Sequence, residues 1–190
     1  MLYLGIDQSL QSPGLAIVDE QGKTIQVSHL SVSEKKRGVE RLATIVAWVT
    51  TNVRLSIAQQ GCLVAQGCLE GYSVNSSNRP YDLGEVSGAI RVALYQELGL
   101  ILTVVEPARL KKFATGKGIA TKEEVIHAVN TAWGASLHQT DEADAYVLAQ
   151  IAKAMGTQSF TRRCQAEVVR DLQNPPRKRR RLRTTPTKNL

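Results

Sequence analysis

Cysteine is scarce in this 190-residue chain, and Cys62, Cys68 and Cys164 are odd in number with no C-x-x-C spacing. That excludes a disulfide framework and argues against a zinc site, so a reducing, intracellular compartment is expected. Long apolar runs are missing too. No stretch approaches the roughly 20 residues that span a bilayer, and Asp7 interrupts the apolar N-terminus where a signal peptide needs continuity. A soluble protein of the cytoplasm or nucleoid is expected, with an organelle also compatible. There is no internal repeat.

Acid is absent from the last 16 residues. The segment PPRKRRRLRTTPTKNL holds seven of the 24 Lys and Arg and none of the 17 Asp and Glu, so the preceding 174 residues carry seventeen charges of each sign. The formal charge of +7 therefore belongs entirely to the tail. Seven cations with almost no apolar residue cannot build a core, so residues 175–190 are expected to be disordered and free to meet a polyanion, nucleic acid first and a membrane surface second. A solubilising or targeting role is the simpler alternative. The body, at 43% hydrophobic overall, suffices for one domain over residues 1–156, followed by an extension over 157–174.

Two short apolar runs, LYLGID (2–7) and GLAIVD (14–19), and the β-branched TIQVSHLSV predict three strands joined by short loops, an antiparallel meander. From Ser33 the spacing of Val39, Leu42, Ile45, Val46 and Val49 predicts a long amphipathic helix. A strand over 62–72, a helix over 81–98 and a strand in LILTVVEP follow. Then come a turn-rich basic stretch, ARLKKFATGKGIA, a helix opened by the capping box Thr121–Glu124, and a last helix running to about Met155. Hairpin-linked strands followed by αβ crossovers predict a mixed sheet with helices on both faces. Gly84 and Gly88, four apart on one helix, suggest close approach to a neighbouring backbone.

The last helix opens with HQTDEADAYVLA, three acids in its first turn. Thr140 suits the N-cap, and Asp141 and Glu142 suit the positive end of the helix dipole. Asp144 is less well explained, because it shares a face with Asp141 beside Val147, Leu148 and Ile151, while Glu142 points elsewhere. That face looks at the sheet, where Asp7 ends the first strand and Glu70 the fourth. If those strands are neighbours, four carboxylates converge and require protonation or a cation. Oxygen donors without Cys or His select Mg2+ or Mn2+ and not zinc, and two such ions suit phosphodiester hydrolysis. Taken singly, Asp7 also suits a turn cap and Glu70 a pairing with Arg79 or Arg91. His138 reads as a polar flanking residue, with proton shuttling as its alternative.

The ordered set GID (5–7), LEGY (69–72), LGEVSGAIRVAL (83–94), VVEPARLKKFATGKGIATKEEV (104–125) and TDEADAYVLA (140–149) resembles the RuvC-type Holliday-junction resolvases. Its D-E-A-D-A matches that family's D-x-A-D-A. The resemblance spans about residues 2–155 and implies a ribonuclease-H-like α/β fold, with a five-stranded sheet of three antiparallel then two parallel strands. It further implies that Asp7, Glu70, Asp141 and Asp144 are catalytic and bind two Mg2+ per site, with Mn2+ able to substitute and Asp7 bridging. Also implied are a homodimer, the helix of Gly84 and Gly88 meeting its partner, and paired nicks across a four-way DNA junction that leave ligatable ends. Lys111, Lys112, Lys117 and Lys122 match the family's basic stretch, where phosphate contact is expected; solvated surface charge is the plainer reading of any one of them. Tyr72 and Ser73 fall at the family's DNA-contacting position after the glutamate.

The chain departs from the pattern in three places. QSLQSPG replaces the usual Pro-Gly directly after Asp7, Ser73 stands where an aromatic is frequent, and the Arg-rich tail is additional. Activity on other branched DNA or RNA/DNA hybrids, and junction binding without catalysis, are the competing expectations.

Overall fold

Six consecutive buried residues, Leu2–Asp7, form β1, the middle strand of a five-stranded sheet. A strand covered on both faces has no polar side to show, which is why LYLGID reads as an unbroken apolar run. The computed structural model describes residues 1–71 and 80–175. β2 (Gly14–Val18) pairs antiparallel with β1, and β3 (Thr24–His29) pairs antiparallel with β2. β4 (Val64–Glu70) runs parallel to β1 and β5 (Leu102–Val105) parallel to β4. The order is β3-β2-β1-β4-β5, the mixed sheet expected.

Alternation along β1 divides the interior. Leu2, Leu4 and Ile6, with Leu15 and Ile17 of β2, pack against α1 (Gly38–Gln60) and α2 (Pro80–Leu98) through Ile45, Val49, Val53, Val86, Ile90 and Leu94. Tyr3, Ala16, Val18 and Cys68 face the opposite layer. That layer consists of α3 (Pro107–Thr115), α4 (Lys122–Trp133), α5 (Thr140–Thr157) and α6 (Arg163–Gln173). Phe113 stacks on Trp133 at a centroid separation of 6.3 Å, and Trp133 meets Tyr146 edge-on at 6.1 Å, which joins α3, α4 and α5. The three cysteines are free. Among the described residues no helix is long and apolar enough to cross a membrane.

Four local expectations are corrected. α1 starts at Gly38 rather than Ser33: the Ser33 carbonyl accepts from Lys36 N–H at 3.0 Å in a turn, and Gly38 at φ 50° breaks continuity with it, leaving Val39 exposed. The basic stretch is not all turn, because Pro107 opens α3, Gly116 (φ 87°) closes it, and Leu110, Phe113 and Ala114 bury one side between them. Thr140 is inside α5. Gln139 occupies the N-cap without a side-chain bond. Finally, the extension over 157–174 contains α6, whose Val168 and Val169 reach the core although most of its residues are polar. The Thr121–Glu124 capping box forms as read, with bonds of 2.8 and 3.2 Å.

Candidate active site

The carboxyl ends of β1, β3, β4 and β5 lie along one edge of the sheet, and strand register sets the order of residues there. Asp7 is the cross-strand partner of Gly14, and Gly14 of His29. On the other side Ile6 pairs with Leu69, so the next step brings Glu70 beside Asp7, and Glu70 pairs with Val105. The resulting row is Val105, Glu70, Asp7, Gly14, His29.

α5 is laid on this row by two missing side chains. A Cβ at Gly5 would lie 2.0 Å from the Ala145 carbonyl oxygen, and one at Gly14 would lie 2.1 Å from that of Asp141. Contact this close is possible only for glycine. It places the first turn of the helix, with Asp141 and Asp144, over Asp7.

The charge environment puts the four acids within electrostatic reach of one another. Burial pushes the Asp7 carboxyl far above the usual range, reinforced by the negative charge and hydrogen bond of Glu70 and then by Asp144 and Asp141. Glu70 is also raised by burial, while its bond with Asp7 opposes the shift. Burial and the other acids thus favour keeping a proton between these two hydrogen-bonded carboxyls. Burial, then Glu70, raises Asp144 to about 7. Lys122 and Lys111 pull both Glu70 and Asp144 back down, so these two ammonium groups supply the counter-charge absent from the sheet itself.

The basic stretch thus divides. Lys111 and Lys122 act on the carboxylates. Lys112 is held by Glu167 of α6 at 3.0 Å, and Lys117 lies 3.8 Å from Glu124. His138 is exposed. Tyr72, Ser73 and nearly all of the basic tail lie outside the described residues. Gly84 and Gly88 line a groove with Ser87, Arg91, Val104 and Glu106 on the outer side of α2. A Cβ at Gly88 meets nothing within 4 Å, so among the described residues the close approach expected there is not made at Gly88. Val92, Tyr95 and Ile101 continue this surface as exposed apolar side chains.

Two features escaped the sequence reading. Glu142 does leave the cluster, but it does so to accept a 2.8 Å hydrogen bond from His29 Nδ1. Gln8, next to Asp7, is 7% exposed, and neither its Oε1 nor its Nε2 has a partner among the described residues. The strand period could have put His29 on the α5 side, two residues beyond Val27, but only the register puts it in the row of Asp7. Nothing in the composition of QSLQSPG marks Gln8 as buried.

The donor set fits a hard divalent cation. The donors are all carboxyl oxygens whose burial and mutual repulsion favour a proton, and a cation relieves the same repulsion. Among the described residues no group of three or more His, Cys, Asp or Glu side chains is closed up as a ready-made ion cage.

The family model for crossover junction endodeoxyribonuclease RuvC matches residues 3–152. The crossover junction endodeoxyribonuclease RuvC of an Anaeromyxobacter species is 32% identical over 152 residues, covering 78% of this chain and 71% of the relative. That of Rickettsia conorii is 31% identical over 157 residues, covering 78% and 94%. Among solved structures, Thermus thermophilus RuvC superposes with a TM-score of 0.68 at 24% identity, over 83% of this chain and 97% of that one. The same Thermus protein in complex with a Holliday junction substrate gives 0.64 at 24% identity, over 78% and 90%. The shared sheet order is the ribonuclease-H-like arrangement.

Proposed function

The chain belongs to the RuvC family of crossover junction endodeoxyribonucleases, and from that premise we propose that it binds four-way DNA junctions as a homodimer and resolves them by paired symmetrical nicks. The observation that carries this reading is the convergence of Asp7, Glu70, Asp141 and Asp144 beside Lys111 and Lys122. A protein that only bound DNA would gain nothing from four acids aimed at a polyanion.

Asp7, Glu70, Asp141 and Asp144 would hold two Mg2+, with Mn2+ as a substitute. Bound there, the metal supplies water activation and stabilisation of the leaving oxygen in phosphodiester hydrolysis. Asp7 and Glu70 would both be ionised with the cations in place, since the positive charge offsets the burial and repulsion that raise them in its absence. Lys111 and Lys122 hold the phosphate that the acids alone would repel. The exposed face of Val92, Tyr95 and Ile101, with the open surface at Gly88, suits a second copy of the chain. Symmetry then gives two sites, one for each nick. The Arg-rich tail adds sequence-independent phosphate contacts.

The test uses synthetic substrates: a four-way junction, a flap, a nicked duplex and an RNA/DNA hybrid, with metal omitted and then restored. Paired nicks on the junction alone, only with metal, are expected. Asp7→Asn should abolish cutting by roughly 10³-fold or more, the equivalent of about 4 kcal/mol, while junction binding stays intact or strengthens. Undiminished cutting by that variant, or preferred cutting of the hybrid, would overturn the reading.

A further inference from the structure

Glu142 stands at the open position of the D-x-A-D-A pattern, one residue from Asp141 and two from Asp144. Its carboxylate crosses to the edge strand and meets the imidazole of a residue 113 positions away. An ionised carboxylate only accepts, so His29 Nδ1–H donates, at 2.8 Å to Oε1. The pair is partly shielded, with side chains 34% and 20% exposed, so it is screened less than a fully exposed ion pair.

Two further observations show what this contact does. Beyond the backbone contact at Gly14, the side chains that open α5 fasten it little: Gln139 makes no side-chain cap bond, and among the described residues Thr140 Oγ1 reaches only Asp141 Oδ1, at 3.4 Å. The same turn also carries Asp141 and Asp144 toward Glu70 and Asp7, and like charges drive it outward. His29 closes the row that contains Asp7 and Gly14. A bond from His29 to Glu142 therefore ties the helix start to the strand edge on which the other two acids are mounted, against that repulsion.

We infer that His29 and Glu142 are positioning residues that hold the first turn of α5 at the height where Asp141 and Asp144 share divalent cations with Asp7 and Glu70. The inference rests on the metal-binding reading given above. The bond acts through the helix backbone, and neither residue touches the reacting phosphate.

The experiment titrates Mn2+ calorimetrically into the full chain without DNA, using Asp7→Asn as the control for the site. His29→Ala and Glu142→Ala should each weaken Mn2+ binding about tenfold, within the range for residues that orient ligands. The double variant should be no worse than either single one. His29→Asn should recover most of the loss, because its Nδ2 takes the place of the imidazole Nδ1, and Glu142→Gln should stay near the parent because it still accepts the bond. Junction affinity without metal should change less than twofold. Mn2+ binding within twofold of the parent in a folded His29→Ala protein overturns the inference, as does an Asn variant no better than Ala. If His29→Ala does not fold, equal Mn2+ affinities for Glu142→Ala and Glu142→Gln overturn it instead. Full Mn2+ affinity in Asp7→Asn would show that the metal site itself is misplaced, and the inference would fall with it.

Discussion

Asp7 and Gly14 face each other across β1 and β2, and the hydrogen at Gly14 leaves the space into which the Asp141 carbonyl descends. One acid is thus seated beside another by the lack of a side chain on the strand between them. The same device recurs at Gly5 beneath Ala145 and Ala149.

Gly5→Ala is expected to lower stability by roughly 2–3 kcal/mol, since its Cβ meets helix backbone that cannot swing aside. For a domain of this size that is about 5–10 °C in Tm. Gly88→Ala is the contrast. Its Cβ enters open space on a helix, and Ala gains up to about 1 kcal/mol over Gly there. Thermal melts of the two variants check the pair, and equal melting temperatures would refute the account of α5 seating.

Stability of the metal-free protein should fall as pH rises. Asp144 goes from an ordinary value near 3.8 to about 7, so between those limits the folded state binds the proton and the unfolded chain does not. The favourable contribution is complete below about 3.8, declines through the interval and is gone above about 7. A decrease on the order of 2–4 kcal/mol from pH 4 to pH 8 is expected, with Asp7 acting in the same direction. Asp144→Asn should flatten the profile. Urea denaturation across this range measures it.

Lys122→Ala and Lys111→Ala should each slow single-turnover cutting by about 10- to 100-fold, in line with losing one charged stabilising group. Both should also move the acidic limb of the pH–rate profile upward, because Glu70 and Asp144 lose a cation that favours their charged forms. Lys112→Ala should leave that limb in place, since its ammonium is engaged with Glu167. Coincident profiles for all three would show that the lysines are interchangeable.

Ile101→Asp, at a residue 75% exposed, should not disturb the fold but should dissociate the proposed dimer. Sedimentation velocity would then show a single chain, and paired nicking would give way to slower, uncoupled single nicks. A dimer that survives this change together with Tyr95→Ala would place the interface elsewhere.

Much of the architecture is legible because the unbroken apolar runs of β1 and β2 and the helical spacing along α2 agree with burial. Asp7 and Glu70 are readable as candidate site residues because each ends an apolar run, and strand ends are where chains leave the sheet. Other parts depend on information that a linear pattern does not hold. The His29–Glu142 bond requires the register of three strands, and the division of Lys111 from Lys112 requires knowing that α6 returns to α3. The apolar spacing from Val39 to Val49 marks the α1 helix but not its first residue, and the left-handed Gly38 decides the boundary. The run RLKKFATGKG looked like turn because glycine and lysine are frequent in turns, whereas the Pro107 opening and the buried Leu110 and Phe113 decide for helix.

Arg162 closes the last turn of α3, its guanidinium donating to the carbonyls of Ala114 at 2.7 Å and Thr115 at 3.1 Å. This residue lies beyond the segment matched by the family model. The helix that presents Lys111 is therefore finished by a piece of chain added 48 positions downstream. Transplanting residues 107–125 into a relative as a self-contained cassette would leave that end frayed, so the helix that carries Lys111 and Lys112 depends on two separated segments that must travel together.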